Sequence, residues 1–181
     1  MKKYGISFIG AGKVAGSLSR KLSETGFTVK TIFSRNSVTG RKLAEGTGAS
    51  WSPEPVFSDQ SDVIIAAVPD DSLRQILSRI KCKENAIVAH TAGSLGLDVF
   101  PAGLKHKGVF YPLQTFSEGR KIDFNGLPLF IESSDNETME ILKEIAGSIG
   151  ATVYVIDEDH RRLLHVAAVF VNNFTNFMFT A

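Results

Sequence analysis

Residues 5–16 read GISFIGAGKVAG, in which a short apolar stretch runs into a glycine-rich turn. The apolar residues of segment 4–9 predict a short buried strand. Residues 14–26 predict a helix, because their apolar side chains recur at every fourth position and so share one helix face. The stretch therefore predicts a strand, a tight turn and a helix at the head of a βαβ unit.

Strand and helix patterns continue to alternate along the chain. Residues 62–68 (DVIIAAV) form a continuous apolar run, which is typical of a central parallel strand buried on both faces. Further strands are predicted at 27–33, near Trp51 and Val56, and at 85–89, 107–111, 127–131 and 152–156. Helices are predicted through 42–44 with Ser37 or Thr39 as the cap, at 70–80 and at 137–149. This order predicts an α/β fold, a doubly wound and mainly parallel Rossmann sheet, over residues 1–157.

The segment 158–181 differs from the rest of the chain. It predicts a helix whose apolar residues cover most of its circumference, and such a helix has to be buried. We expect it to be the first helix of a helical dimerisation or substrate domain that is cut short at Ala181, or to be covered by a second subunit. In the first case, exposed Phe170, Phe174 and Phe177 would drive association.

Composition narrows the class of protein. A net charge of +1 provides no field that would steer the chain to nucleic acid or to an anionic membrane. No stretch reaches the roughly 20 apolar residues that cross a bilayer, and the N-terminal residues lack the apolar core of a signal peptide. The single cysteine, Cys82, has no metal-ligand spacing around it. We therefore expect a cytoplasmic protein, without a metal, whose partner is a small-molecule substrate.

The glycine turn has the pattern G-x-G-x-x-A, from Gly10 to Ala15. Gly10 permits the sharp turn out of the strand, Gly12 lets the backbone approach a diphosphate, and Ala15 keeps the helix close to the sheet. The first turn of the helix then points free N–H groups and the positive end of its dipole at the phosphates. The turn predicts a dinucleotide site, and the alternative is an ordinary glycine turn in an α/β protein without a ligand.

The end of the second strand indicates which dinucleotide binds. NAD-binding domains usually place an acidic residue there, about 20 residues beyond the glycine turn, to bind the ribose hydroxyls. Here residues 33–36 read FSRN, without an acid. Ser34, Arg35 and Asn36 could instead hold a 2′-phosphate. The pattern favours NADP over NAD, and the alternative is that Arg35 is a solvated loop cation.

Ligands of open parallel sheets collect beyond the carboxyl ends of the strands. Pro69 and Asp70 follow the central strand, where they can line the path of the nicotinamide ribose. Ser94 lies in the turn after the next strand, and Gln114 and Thr115 lie after the one beyond it. Small and hydroxyl residues in these turns allow close approach of the nicotinamide and supply donors to a substrate. The alternative is that turns favour small polar residues in any case.

Three further polar residues are candidates for the chemistry. His90, at the end of a strand, is either a general acid or a buried histidine bonded to a backbone carbonyl. His165 and Asn173 lie roughly along one side of the C-terminal helix. Polar residues on an apolar helix are costly to bury unless they bond to something, so both are candidates for substrate contact. The alternative is a polar contact between subunits.

Five segments in one order carry a resemblance to a known family. They are GAGKVAGSL, AVPD, HTAGS, YPLQTFS and HVAAVFVNNF, and they span nearly all of the chain. The sequence resembles the Rossmann-like proteins that carry a DUF2520 domain, NADP-dependent oxidoreductases related in architecture to pyrroline-5-carboxylate reductase and the β-hydroxyacid dehydrogenases. The resemblance implies cofactor contacts at Gly10, Gly12, Lys13, Val14, Ser34 and Arg35, with Pro69 and Asp70 nearby.

The resemblance also bears on the C-terminal helix. It implies that His165 and Asn173 face the catalytic cleft, and that a C-terminal bundle of helices forms a homodimer. The related dehydrogenases use a lysine where this chain has His165. Family members usually have a histidine where this chain has Tyr111.

Two functions follow from these patterns. In the first, NADPH delivers a hydride to a C=O or C=N bond of a small metabolite, or the reaction runs in reverse. His165 would then donate the proton, Asn173 would orient the substrate, and Ser94 or Thr115 would bind it. In the second, the protein is a non-catalytic module that binds a dinucleotide and engages a partner through its C-terminal helix.

Overall fold

The computed structural model describes residues 4–57, 60–117, 121–171 and 175–180. Within these residues, eight strands form one sheet. The strands are β1 (Gly5–Ile9), β2 (Thr28–Phe33), β3 (Ser50–Ser52), β4 (Val63–Ala66), β5 (Ile87–His90), β6 (His106–Pro112), β7 (Pro128–Ser133) and β8 (Thr152–Val155). Their order across the sheet is β3-β2-β1-β4-β5-β6-β7-β8.

Helices cover both faces of this sheet. The described α-helices are α1 (Lys13–Glu24), α2 (Ser37–Thr47), α3 (Asp70–Leu77), α4 (Asn136–Ser148), α5 (Glu158–Val169) and α6 (Thr175–Thr180). Side chains of α1, α2 and α4 pack into one apolar core, whereas α3 and a short 3₁₀ helix at Leu97–Val99 contribute to a second. The predicted α/β, doubly wound Rossmann fold is confirmed.

The strand direction changes once. Every neighbouring pair from β3 to β6 is parallel, β7 is antiparallel to β6, and β8 is parallel to β7. A parallel neighbour needs a long crossover connection, usually with a helix. The described part of segment 113–127 contains no helix, so the chain turns back and β7 runs antiparallel. The sheet is therefore mainly parallel, as predicted.

Strand β4 accounts for the continuous apolar run in the sequence. Val63 and Ile65 face one core, and Ile64 and Ala66 face the other. All four side chains are at most 1% exposed. Full burial of a valine or isoleucine contributes about 1.5–3 kcal/mol, so helices on both faces stabilise this central strand. Its carboxyl end is thereby fixed beside that of β1.

The start of α2 differs from the sequence prediction. Its N-cap is Asn36, and neither Ser37 nor Thr39 takes that place. The Asn36 side-chain oxygen accepts the N–H groups of Val38 and Thr39 at 3.0 and 3.1 Å. Asparagine, serine and threonine all serve well as caps, so the residue types in this stretch did not distinguish between them. The prediction of Ser37 or Thr39 was wrong by one to three positions.

The C-terminal helices expose apolar side chains. Leu163 and Val166 of α5 are 71% and 52% exposed, and Phe177 of α6 is 65% exposed. Phe170 is 63% exposed, whereas Phe174 lies outside the described residues. None of the described helices combines the length and the apolarity needed to cross a membrane.

Candidate active site

Gly10 forms the turn out of β1. Its φ of 110° lies in the left-handed region that favours glycine. A Cβ at this position would also overlap the carbonyl oxygen of Ala67, immediately after β4. The Gly10 N–H donates to the carbonyl of Phe33, at the end of β2, at 2.8 Å. Gly10 therefore seats the turn against the carboxyl ends of both strands that flank β1.

Gly12 precedes α1, and unlike Gly10 it does not owe its place to the backbone conformation. Its backbone is extended, with φ −80° and ψ −169°, a conformation open to any residue. A Cβ on Gly12 would meet no described atom within 4 Å. In the described residues, no side chain caps α1 and its first turn carries no acid. The first N–H groups of α1 therefore lack a side-chain partner beside open space, which fits a bound diphosphate.

A cleft of about 410 Å³ opens at this edge of the sheet. Cavities of this size commonly hold small ligands. Its lining includes six residues that the sequence predicted as site residues: Gly12, Lys13, Val14, Pro69, Asp70 and Gln114. It also includes Thr91, Ala92 and Phe116, from the turns that follow β5 and β6. The structure thus brings four separate segments of the chain to one cleft.

The loop after β2 is built around Ser34. Its hydroxyl donates to the carbonyl of Asn36 at 2.7 Å and accepts the indole N–H of Trp51 at 3.2 Å. Ser34 is only 6% exposed, whereas the neighbouring Arg35 is exposed. The guanidinium of Arg41 lies over the Trp51 ring, 4.2 Å from its centroid. The end of β2 therefore carries positive charge and no carboxylate.

Asp70 and Ser94 meet beside the cleft. The Ser94 hydroxyl donates to the carboxylate of Asp70, which begins α3 and lines the cleft. On the other side, the Thr115 N–H donates to the Oε1 of Gln114 at 2.8 Å, so these two neighbours form a local turn. Gln114 borders the cleft and Thr115 is exposed.

His90 is a structural histidine at the end of β5. It is fully buried, and its ring stacks on Phe100 with centroids 5.4 Å apart. Its Nδ1 accepts the Ala92 N–H at 3.2 Å, and its Nε2 donates to the carbonyl of Gly96 at 3.3 Å. Burial lowers the pKa of His90 to about 4. Of the two interpretations, the structure therefore supports the buried histidine that shapes the turn after β5.

His165 forms a pair with Tyr111. The phenolic oxygen of Tyr111 lies 2.8 Å from Nδ1 of His165, and the two rings meet edge-on with centroids 5.7 Å apart. Both residues are half-buried. Burial raises the pKa of Tyr111, the Asp70 carboxylate raises it further, and the Arg161 guanidinium opposes the rise. A phenol of this kind stays protonated at neutral pH.

Helix α5 docks on the turn after β5 through two glycines. A Cβ on Gly93 would lie 2.5 Å from Nδ1 of His165 and 2.8 Å from Cζ of Tyr111. A Cβ on Gly96 would overlap the carboxylate of Glu158, seven residues before His165. The backbone at Gly93 and Gly96 thus leaves room for side chains of α5. We call this contact the α5 seam.

A buried arginine completes the α5 seam. Arg161 is 0% exposed, and it precedes His165 by one helical turn. Its guanidinium pairs with the carboxylate of Glu132 on β7 and donates to the carbonyl of Leu95 at 2.6 Å. Its Nε has no hydrogen-bond partner among the described residues. The arginine therefore ties α5 to β7 and to the turn after β5.

Several residues of this site could not be predicted from the sequence. Of the predicted cofactor residues, five line the cleft: Gly12, Lys13, Val14, Pro69 and Asp70. Gly10 forms the turn before them, whereas Ser34 and Arg35 lie in the loop after β2, where the Ser34 hydroxyl is bonded within its own loop. Asn173 lies outside the described residues. Tyr111 was predicted only to differ from the histidine usual in the family, Gly93 only to belong to the turn HTAGS, and no role was predicted for Glu132 or Arg161. One feature of the sequence could have indicated Arg161: it is a charged residue on a mainly apolar helix that was predicted to be buried.

The fold and the cleft define a Rossmann-like protein, and comparisons identify its family. Residues 5–93 match the family model described as NADP oxidoreductase, coenzyme F420-dependent, and residues 127–181 match the domain of unknown function DUF2520. A crystal structure of a candidate NADP oxidoreductase from Bacteroides fragilis shares 36% identity with a TM-score of 0.87. That match covers 98% of this chain and 70% of the other. This chain belongs to the family of Rossmann-like NADP oxidoreductases with a DUF2520 domain.

More distant structures share the fold. A Thermotoga maritima protein matches with 24% identity and a TM-score of 0.72, over 96% of this chain and 65% of its own. Prephenate dehydrogenase from A. aeolicus matches with 15% identity and a TM-score of 0.73, over 89% and 62% respectively. This chain thus spans about two thirds of the length of these proteins. No curated protein matches its sequence significantly.

Proposed function

We propose that this protein uses NADPH to reduce a C=O or C=N bond of a small metabolite, in a reaction that can also run in reverse. One observation carries the proposal. The uncapped start of α1 and the Tyr111–His165 pair both lie beside the carboxyl ends of the parallel strands. Ala92 lines the cleft, and its neighbour Gly93 contacts both rings of the pair. The proposed diphosphate site and the proposed proton donor are therefore close to the same edge of the sheet.

The start of α1 would hold the diphosphate. The N–H groups of Lys13 and Val14 would bind its oxygens, and the open space at Gly12 would admit it. The Lys13 side chain would add a positive charge. Pro69 and Asp70 would border the nicotinamide ribose, because they line the cleft beyond β4. When bound there, NADPH would supply the hydride.

The loop after β2 would select the 2′-phosphate of NADP. Arg35 is exposed at the position where NAD-binding domains usually carry an acid. Ser34 would act by fixing this loop, since its hydroxyl already bonds to Asn36 and Trp51. A guanidinium suits a phosphate because it can form two parallel, charge-assisted hydrogen bonds.

His165 would donate the proton to the substrate oxygen or nitrogen. Its Nδ1 contacts Tyr111, and its Nε2 has no hydrogen-bond partner among the described residues. Histidine is the side chain that most often transfers protons in enzyme active sites. Ser94, Gln114 and Thr115 would bind the substrate, and Asn173 would orient it.

The experiment is an NADPH oxidation assay with a panel of keto acids and cyclic imines. His165→Ala should reduce turnover by about a hundredfold, because loss of a general acid typically costs that much. His160→Ala is the matched control, since His160 lies on the same helix, is exposed and pairs with its near neighbour Asp157. Unchanged turnover in His165→Ala would remove His165 from the mechanism.

A second candidate function is partner binding through the C-terminal helices. The exposed apolar side chains of α5 and α6 favour it, among them Leu163 and Phe179 at 71% and 86% exposed. A second copy of the chain would be the simplest partner and would give a homodimer. NADPH binding without oxidation across a broad panel, together with concentration-dependent association, would favour this candidate. Turnover of any panel member would favour the first.

A further inference from the structure

The hydroxyl of Tyr111 is placed to control the ring of His165. Tyr111 lies at the carboxyl end of β6, and its oxygen is 2.8 Å from Nδ1 of the imidazole. We propose that Tyr111 is a positioning residue, which holds Nδ1 so that Nε2 is the nitrogen that exchanges a proton with the substrate. This inference rests on the proposed role of His165 as the proton donor.

The surroundings of the pair restrict the movement of both rings. The backbone at Gly93 lies against both of them, since a Cβ there would be 2.5 Å from Nδ1 and 2.8 Å from Cζ of the phenol. Phe130 packs on the Tyr111 ring with centroids 6.4 Å apart. Arg161 anchors α5 one turn before His165. The distance between the hydroxyl and Nδ1 is therefore set by the fold.

The direction of the hydrogen bond depends on which imidazole nitrogen carries the proton, and a neutral phenol can serve as the donor. Burial, aided by the Asp70 carboxylate and opposed by Arg161, raises the pKa of Tyr111, so its hydroxyl keeps a proton to donate. Among the described residues, Nδ1 of His165 is the acceptor within reach. A neutral imidazole that accepts at Nδ1 carries its own proton on Nε2.

The same hydroxyl also forms a hydrogen bond with the protonated, charged imidazole ring. When His165 is an imidazolium, its Nδ1–H donates to the phenolic oxygen, which has lone pairs available. During reduction, the substrate carbon accepts a hydride and the π-electron pair moves to the oxygen or nitrogen. That atom takes the proton from Nε2, which leaves a neutral ring whose remaining proton is on Nδ1 and is donated to the phenolic oxygen of Tyr111. Solvent then returns a proton to Nε2.

The test compares Tyr111→Phe with Tyr154→Phe. Both changes delete one phenolic oxygen. Tyr154, however, lies on β8, is 48% exposed and stacks on Phe130 instead of contacting His165. The first readout is the ¹⁵N NMR spectrum of the imidazoles at a pH where they are neutral. The chain has four histidines, so the signals of His165 are assigned as those that are missing from the spectrum of His165→Ala.

The expected spectra distinguish the two variants. The wild type and Tyr154→Phe should show His165 with its proton on Nε2. Tyr111→Phe should raise the ratio of the Nδ1–H to the Nε2–H tautomer about fivefold, the effect of losing one hydrogen bond. An unchanged tautomer ratio in Tyr111→Phe would overturn the inference.

A kinetic readout separates this inference from the proposed function. Tyr111→Phe should lower kcat about tenfold while the KM for NADPH stays within about twofold, since the hydroxyl acts on the proton donor only. If no substrate is turned over, the proposed function fails, but the NMR comparison still decides whether Tyr111 controls the ring. If turnover occurs and kcat is unchanged in Tyr111→Phe, the positioning role is contradicted.

Discussion

The phenolic oxygen of Tyr111 lies 2.8 Å from Nδ1 of His165, and this bond joins the carboxyl end of β6 to α5. Two further contacts help to seat α5: the ion pair of Arg161 with Glu132, and the close packing of Glu158 against Gly96. On α5, the residues Glu158, Arg161 and His165 follow one another at spacings of three and four, so they lie along one face of the helix. The α5 seam therefore fixes the distance between His165 and the cleft.

Gly93→Ala tests whether the α5 seam controls activity. The added methyl would lie 2.5 Å from Nδ1 of His165, so the imidazole and the phenol have to move. A displacement near 1 Å can cost about a hundredfold in rate, and we expect a loss of that order in turnover. The affinity for NADPH, measured by calorimetry, should stay within about twofold of the wild type.

Gly103→Ala is the matched control for this change. Gly103 also lies in a loop, and a Cβ there meets no described atom within 4 Å. It should leave turnover unaltered. Full turnover in Gly93→Ala would show that the pair has no part in the reaction.

Glu132→Ala should destabilise the fold because it leaves a buried charge unpaired. Arg161 is 0% exposed, and without Glu132 its guanidinium keeps only the Leu95 carbonyl among its described partners. Removing one partner of a buried ion pair typically costs about 3 kcal/mol in the free energy of unfolding. Urea denaturation followed by circular dichroism measures the loss.

Glu140→Ala breaks an exposed pair with Lys143 and should cost less than about 1 kcal/mol. Equal losses in the two variants would refute the structural role of Arg161.

Arg35→Ala should change the cofactor preference. Loss of a charge-assisted contact to the 2′-phosphate should weaken NADPH binding about tenfold to a hundredfold, whereas NADH lacks that phosphate and should bind as before. Calorimetric titration of both cofactors measures the two affinities. Arg79→Ala removes the same charge beyond the far end of α3, where Arg79 pairs with Glu54, and should affect neither affinity. Equal weakening of NADH and NADPH in Arg35→Ala would contradict selection of the phosphate.

The stability of the protein should fall as the pH drops from about 6.5 to about 4. Burial lowers the pKa of His90 to about 4 in the folded state, against about 6.5 when unfolded. Between these values the unfolded chain binds a proton that the folded chain does not, so acidification favours unfolding. The contribution of His90 to this loss is at most about 3 kcal/mol.

Urea denaturation at several pH values measures the slope. His90→Gln keeps a donor and an acceptor without titrating, so its free energy of unfolding should depend less on pH in this range. His160→Ala removes an exposed histidine and should keep the wild-type slope. A wild-type slope in His90→Gln would show that His90 is not the group responsible.

The parts of this structure that could be predicted from the sequence are local. The strand, the glycine turn and the helix around Gly10 and Gly12 follow from residue type and periodicity within a dozen positions. The run that became β4 was recognised because burial on both faces leaves no polar alternation. The reversal of β7 was not recognised, because an apolar strand pattern carries no information on strand direction.

The parts that could not be predicted depend on distant contacts. Tyr111 and His165 are 54 positions apart, and only the docking of α5 brings them together. Gly93 belonged to a turn of small residues expected to admit the nicotinamide, but its missing side chain makes room for His165 and Tyr111. His90 had two interpretations, and only its buried bonds to Ala92 and Gly96 distinguish them.

The binding of NADPH to Gly12→Ala tests the account most directly. Because a Cβ on Gly12 meets no described atom within 4 Å, the variant should fold, and its melting temperature should fall by no more than about 4 °C, since alanine is a weaker N-cap than glycine. The methyl would occupy the space assigned to the diphosphate, so calorimetry should show NADPH affinity reduced about a hundredfold, through the loss of charge-assisted hydrogen bonds. Wild-type affinity for NADPH in a folded Gly12→Ala protein would contradict a diphosphate site at the start of α1.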